Sequence, residues 1–176
     1  MSRTIIEIKA RTNQPDKIRE TLKNLGADFR GIDHQIDTYF KVTSGRLKLR
    51  EGNIENHLIY YQRPDQAGPK QSDVILLPTG PNSPIKAILT QSMGVLAVVD
   101  KHREIYFIDN VKFHIDQVVN LGSFMEIEAI TNNDELTRDQ LLAQCEHYKK
   151  LLEVTDSDLL EKSYSDMVLS QSTPID

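Results

Sequence analysis

Glu126 and Glu128 stand two residues apart in the segment FMEIEA, Phe124 to Ala129. In an extended strand that spacing puts both carboxylates on one face, about 7 Å apart, while Met125, Ile127 and Ala129 take the other. Asp116, in HID at His114 to Asp116, belongs to a strand joined to this one through Leu121-Gly122. Carboxylates gathered this closely raise one another's pKa unless a divalent cation or basic side chains neutralise them. The expected chemistry is a hard-cation site. His114 shares the face of Asp116 and is a secondary candidate for the same place.

The complementary charge sits in RLKLRE, where Arg46, Lys48 and Arg50 alternate strictly with Leu47 and Leu49. Three cations along about 14 Å of one strand face repel, so they require open solvent or a polyanion. Lys101 and Arg103 form a second pair on one face of VLAVVDKHREIYFI, and Arg63 and Lys70 stand at the two ends of the connection around Pro64, Gly68 and Pro69. The opening strand TIIEIKAR alternates Ile6, Ile8 and Ala10 with Glu7, Lys9 and Arg11.

These residues must be held by a sheet. The chain has 176 residues, long enough for one domain with a core, and carries 21 basic against 26 acidic residues. That balance lacks the footprint of a nucleic-acid binder, and no aromatic platform accompanies the basic strands. One cysteine, Cys145, excludes an intrachain disulfide and reads as a small packing residue. The pattern leads to the expectation of no signal peptide and no membrane-spanning apolar run. A cytoplasmic protein is expected, with one domain over residues 1–169 and a disordered tail over 170–176.

The pattern predicts about eight strands with short, mostly antiparallel connections. Helices are predicted after Pro15, with Ile18 and Leu22 inward and a stop at Gly26; after Pro84, with a stop at Gly94; and from Glu135 to about Leu152, capped by Asn133 or Asp134. An acidic turn at Thr155 to Asp158 introduces a last helical piece, and Ser163 to Asp166 closes the ordered chain. A bend is expected at Gly31 or at His34-Gln35. Strand after strand has one apolar and one charged face, and amphipathic helices bury only against apolar surface. The expected fold is therefore α+β: a closed eight-stranded antiparallel barrel with a charged lumen and an apolar exterior under helices. Such a lumen suits a polyphosphate with a divalent metal. His34, His57, His102 and His147 read as surface or hydrogen-bonding residues, and Tyr60 and Tyr61 as sheet packing. Tyr164 is expected at the tunnel mouth.

EIKAR at Glu7, GRLKLRE at Gly45, VVDKHR at Val98, HID at His114, FMEIEA at Phe124 and SYSD at Ser163 together resemble the CYTH superfamily of triphosphate tunnel enzymes. The group includes class IV adenylyl cyclases and thiamine triphosphatases. The resemblance implies Glu7, Asp116, Glu126 and Glu128 around Mg²⁺ or Mn²⁺. It implies Lys9, Arg46, Lys48, Arg50, Arg63, Lys70, Lys101 and Arg103 around the phosphates, and makes Lys9 and Asp116 the catalytic candidates. It also implies a small-molecule triphosphate as substrate and leaves monomer or homodimer open. The family opens with Glu-x-Glu-x-Lys, but Ile5 replaces the first glutamate here, which weakens a second metal position. Hydrolysis of a triphosphate ranks first, cyclisation of ATP second, and binding without turnover third.

Overall fold

The computed structural model describes residues 2–80, 83–131 and 135–172. Eight strands, β1 (Ser2–Arg11), β2 (Asp28–Phe40), β3 (Arg46–Glu51), β4 (His57–Gln62), β5 (Lys70–Pro78), β6 (Val95–Ile108), β7 (Val111–Val118) and β8 (Gly122–Thr131), close in the order β1-β5-β4-β3-β2-β6-β7-β8. Every neighbouring pair is antiparallel. Four helices accompany them: α1 (Pro15–Asn24), α2 (Ile85–Met93), α3 (Arg138–Leu151) and α4 (Tyr164–Ser172). The α+β tunnel expected from the strand faces is the fold observed.

The main core lies outside the barrel. Ile6, Ile8 and Ala10 of β1, Phe113 and Ile115 of β7, and Met125, Ile127 and Ala129 of β8 form one apolar cluster with Ile18 and Leu22 of α1 and Leu141 and Cys145 of α3. The period of two therefore turns each strand's alternate set inward, which places Lys9, Glu126 and Glu128 on the tunnel wall. The thiol of Cys145 is buried, donates to the carbonyl of Ile6 and has its pKa pushed up to about 12 by burial, so it is a packing group.

Local signals explain the boundaries. Pro15 opens α1, where its missing N–H costs nothing, and Gly94 ends α2 at φ 79°. The bend in β2 is a bulge between Phe29 and Gly31, with Gly31 at φ 127°, not at His34-Gln35. Helix α3 starts later than expected because Thr137 and Gln140 form a reciprocal capping box. Asn133 and Asp134, the expected caps, lie outside the described residues. The turn after Thr155 is only a 3₁₀ piece at Asp156–Asp158, and Ser163 to Asp166 opens α4 instead of closing the ordered chain. Helix α4 runs to Ser172, so residues 170–172 of the expected disordered tail are helical; residues 173–176 lie outside the described residues.

Candidate active site

Inside the barrel is a cavity of about 300 Å³, at the lower end of the size of ordinary ligand pockets. Eight Lys and Arg side chains and five carboxylates line it, an excess of three basic side chains.

At one wall, the buried carboxylate of Asp37 on β2 collects three cations. Arg50 donates from Nε at 2.9 Å and Nη2 at 3.0 Å, Lys48 from Nζ at 3.0 Å and Lys101 from Nζ at 2.8 Å. Burial acts to raise the Asp37 pKa, but Arg50, Lys101 and Lys48 together hold it well below the carboxylate range. Burial pushes Lys101 down to about 7, with Asp37 opposing. Glu55, from the turn between β3 and β4, accepts from Arg50 Nη1 at 3.1 Å and pairs with Lys112. Asp33 fixes that turn by accepting the backbone N–H groups of Ile54 at 2.8 Å and Glu55 at 3.0 Å. Gly52 permits the approach, since a Cβ there would stand 2.6 Å from the Asp33 carboxylate.

At the opposite wall Glu126 joins Lys9 at 2.8 Å, Arg103 at 3.0 Å and His114 Nδ1 at 3.0 Å. Burial works to raise its pKa, and Lys9 and Arg103 hold it well below the usual value. Burial and then Arg103 depress the pKa of His114, with Glu128 and the hydrogen bond to Glu126 opposing. Ligand atoms from His114, Glu126 and Glu128 all lie within 4.8 Å of one another. Two carboxylates and an imidazole are a reasonable donor set for a divalent cation, and the buried Nε2 of His114 has no hydrogen-bond partner among the described residues.

The expected metal set is only partly gathered. Glu7 lines the cavity but is paired with Arg63, and Asp116 is taken by Arg103, at 2.7 Å from Nε and 2.5 Å from Nη2, and by the Tyr164 hydroxyl at 2.8 Å. Asp116 lies behind the wall and orients Arg103. Among the expected cations, Lys9, Lys48, Arg50, Arg63, Lys101 and Arg103 line the cavity. Arg46 does not: it pairs with Asp65 and Asp166 near one mouth. Lys70 is also displaced, because its Nζ donates to the carbonyls of Leu160 at 2.8 Å and Glu161 at 3.0 Å and pins the segment leading to α4. At that mouth Tyr164 lies in the cavity wall with Lys9 Nζ 3.5 Å from its ring centre.

Asp37, Glu55, Lys112 and Tyr39 are wall residues that the sequence pattern did not single out. The alternation DTYF places Asp37 and Tyr39 on one face and was the available signal. His57 and Tyr61 also line the cavity, against the expectation of surface and packing roles. Tyr60 points away, its hydroxyl accepting from Gln62, and His34 pairs with Asp100 and stacks on His102 at 4.4 Å.

The CYTH domain profile matches residues 4–164. A Methanocaldococcus jannaschii protein named as a candidate adenylate cyclase is 28% identical over 174 residues, covering 92% of this chain and 97% of its own. A solved Pyrococcus horikoshii structure superposes at TM-score 0.75 with 27% identity, over 93% of this chain and 99% of that one. A Hippeastrum adenylyl cyclase candidate, described as having a dominant triphosphatase activity, reaches TM-score 0.65 at 12% identity over 98% of this chain and 97% of its own, a likeness of fold alone. A tunnel with this wall, together with a profile match along most of its length, makes this chain a member of the CYTH family.

Proposed function

We propose that the tunnel binds a triphosphate together with Mg²⁺ or Mn²⁺ and hydrolyses it. The observation that carries this reading is the excess of basic over acidic side chains on the wall of one cavity, eight against five, because cations crowded together with too few carboxylates are costly until an anion joins them. Arg63 adds directionality: its Nη1 serves Glu7, while Nε and Nη2 are buried without a partner among the described residues.

Arg63, Lys48, Arg50 and Lys101 bind and orient the phosphates, and Arg103 is held in place by Asp116. Glu126, Glu128 and His114 would hold the cation. A bound divalent ion supplies charge neutralisation at phosphate oxygens. Lys9, fixed between Glu126 and Tyr164, stands beside that site and stabilises charge on a phosphate next to it. Tyr164 and the pinned segment before α4 restrict water at one mouth. A cytoplasmic setting is consistent with one buried free thiol. Among the described residues no helix is long and apolar enough to cross a membrane.

Cyclisation of ATP is a second reading, favoured by the name of the 28%-identical relative. An assay with Mg²⁺ or Mn²⁺ and ATP, GTP, thiamine triphosphate or tripolyphosphate separates the two. Release of phosphate supports hydrolysis, and release of pyrophosphate with a cyclic nucleotide supports cyclisation. No product from any of them overturns both.

A further inference from the structure

We propose that the tunnel's ligand is a triphosphate ester of a largely apolar alcohol, with the organic group seated against an apolar sector of the lumen beside Ile5. This rests on the triphosphate reading above and names the substrate class of the same site.

The inward face of β1 runs Lys9, Glu7, Ile5, Arg3 along the tunnel. At the level of Lys9 and Glu7 its register partners on β8 are Glu126 and Glu128; one step further Ile5 faces Ile130. Between that charged level and Arg3 the wall turns apolar. Ile5, Ile59, Tyr61 and Val74, with Leu76 and Ile130 packed against them, form one apolar cluster, and all six line the cavity. They are separate from the outer core that holds the helices on the barrel. Apolar side chains that line one sector of a cavity gain by covering a ligand and expelling water from it.

The composition of the sector restricts what fits. Five of the six residues are aliphatic, and the ring of Tyr61 already has Lys48 Nζ at 5.7 Å and Arg63 at 5.9 Å from its centre. Two polar atoms at this end, Ser72 Oγ and Arg3 Nε, are buried without partners among the described residues, and both residues line the cavity. Ser72 is the register partner of Ile5 on β5. A group with one or two hydrogen-bonding atoms satisfies them. A purine edge carries more donors and acceptors than this wall can meet, and leaving them unpaired would cost affinity.

Calorimetry on the full chain with tripolyphosphate, ATP and hexyl triphosphate tests the assignment, alongside Val74→Thr and Leu76→Asn variants checked for an unchanged melting transition. Hexyl triphosphate is expected to bind at least tenfold tighter than tripolyphosphate despite its lower charge, from burial of its alkyl carbons. ATP should show no such gain. The variant that keeps its melting transition should lose most of the hexyl advantage while its tripolyphosphate affinity stays within twofold. Equal affinity for hexyl triphosphate and tripolyphosphate, an ATP affinity matching the hexyl ester, or an equal loss for both ligands in the variants overturns the apolar-ester class and leaves the triphosphate reading intact. If none of the three binds, the triphosphate reading falls as well.

Discussion

Arg63 donates from Nη1 to Oε1 of Glu7, joining the loop after β4 to β1 across the tunnel wall. The family resemblance assigns these two residues to a phosphate and to a metal; here each neutralises the other. Glu7 is thereby left outside the group formed by His114, Glu126 and Glu128, the candidate cation site on β7 and β8.

Glu126 and Glu128 should consequently respond differently to neutralisation. Glu126 is wedged between Lys9 and Arg103, so Glu126→Gln leaves buried positive charge and is expected to cost roughly 3 kcal/mol of stability. Among the described residues Glu128 has only the longer 3.7 Å approach of His114 as an ion pair, and Glu128→Gln should hold its melting temperature while lowering Mn²⁺ affinity. Differential scanning calorimetry with Mn²⁺ titration checks both. Equal stability of the two variants would contradict the pairing.

Asp37 is the keystone of the basic wall. Asp37→Asn leaves Arg50, Lys48 and Lys101 facing one another, and a loss of roughly 3–5 kcal/mol is expected. Tripolyphosphate replaces the missing anion, so its stabilising effect on melting should be larger in the variant than in the wild type. An equal ligand-induced rise in both would show that the phosphates bind elsewhere.

The proton on Lys101 gives a pH signature. Its pKa falls from 10.5 in the unfolded chain to about 7 on burial, so between those values the unfolded chain holds a proton that the folded chain lacks. The contribution of this group to stability therefore rises with pH across that window. A phosphate bound beside it restores the proton. Triphosphate binding near pH 8 should take up a proton, seen as a calorimetric heat that changes with the ionisation enthalpy of the buffer. A buffer-independent heat would contradict a contact with Lys101.

The barrel was legible because its strands repeat a strict period of two: Arg46, Lys48 and Arg50 against Leu47 and Leu49 admit only one inward set. Alternation reports which face a residue occupies and not which partner it meets across the lumen. For that reason Arg46 and Lys70 looked like phosphate ligands, although tertiary contacts assign them to Asp65, Asp166 and the carbonyls before α4. Asp37 and Glu55 escaped notice for the same reason, since alternation could give only the face of Asp37, and an acid in a turn such as Glu55 shows no role until the cations that surround it are in place. Ile5 was visible as a departure from the family pattern, but its five apolar neighbours come from β4, β5 and β8 and only closure brings them together.

Arg50 is the most direct probe of the basic lumen as a triphosphate site. Its guanidinium lines the cavity beside Lys48 and Lys101, whereas Arg19 sits on α1 outside the barrel, bonded to Glu104. The decisive measurement is calorimetric tripolyphosphate binding at low salt by wild type, Arg50→Ala and Arg19→Ala. Loss of a charge-assisted contact should weaken binding by roughly 1.5–3 kcal/mol in Arg50→Ala and leave Arg19→Ala like the wild type. No binding by the wild type, or the same loss in both variants, would contradict a triphosphate site inside the tunnel.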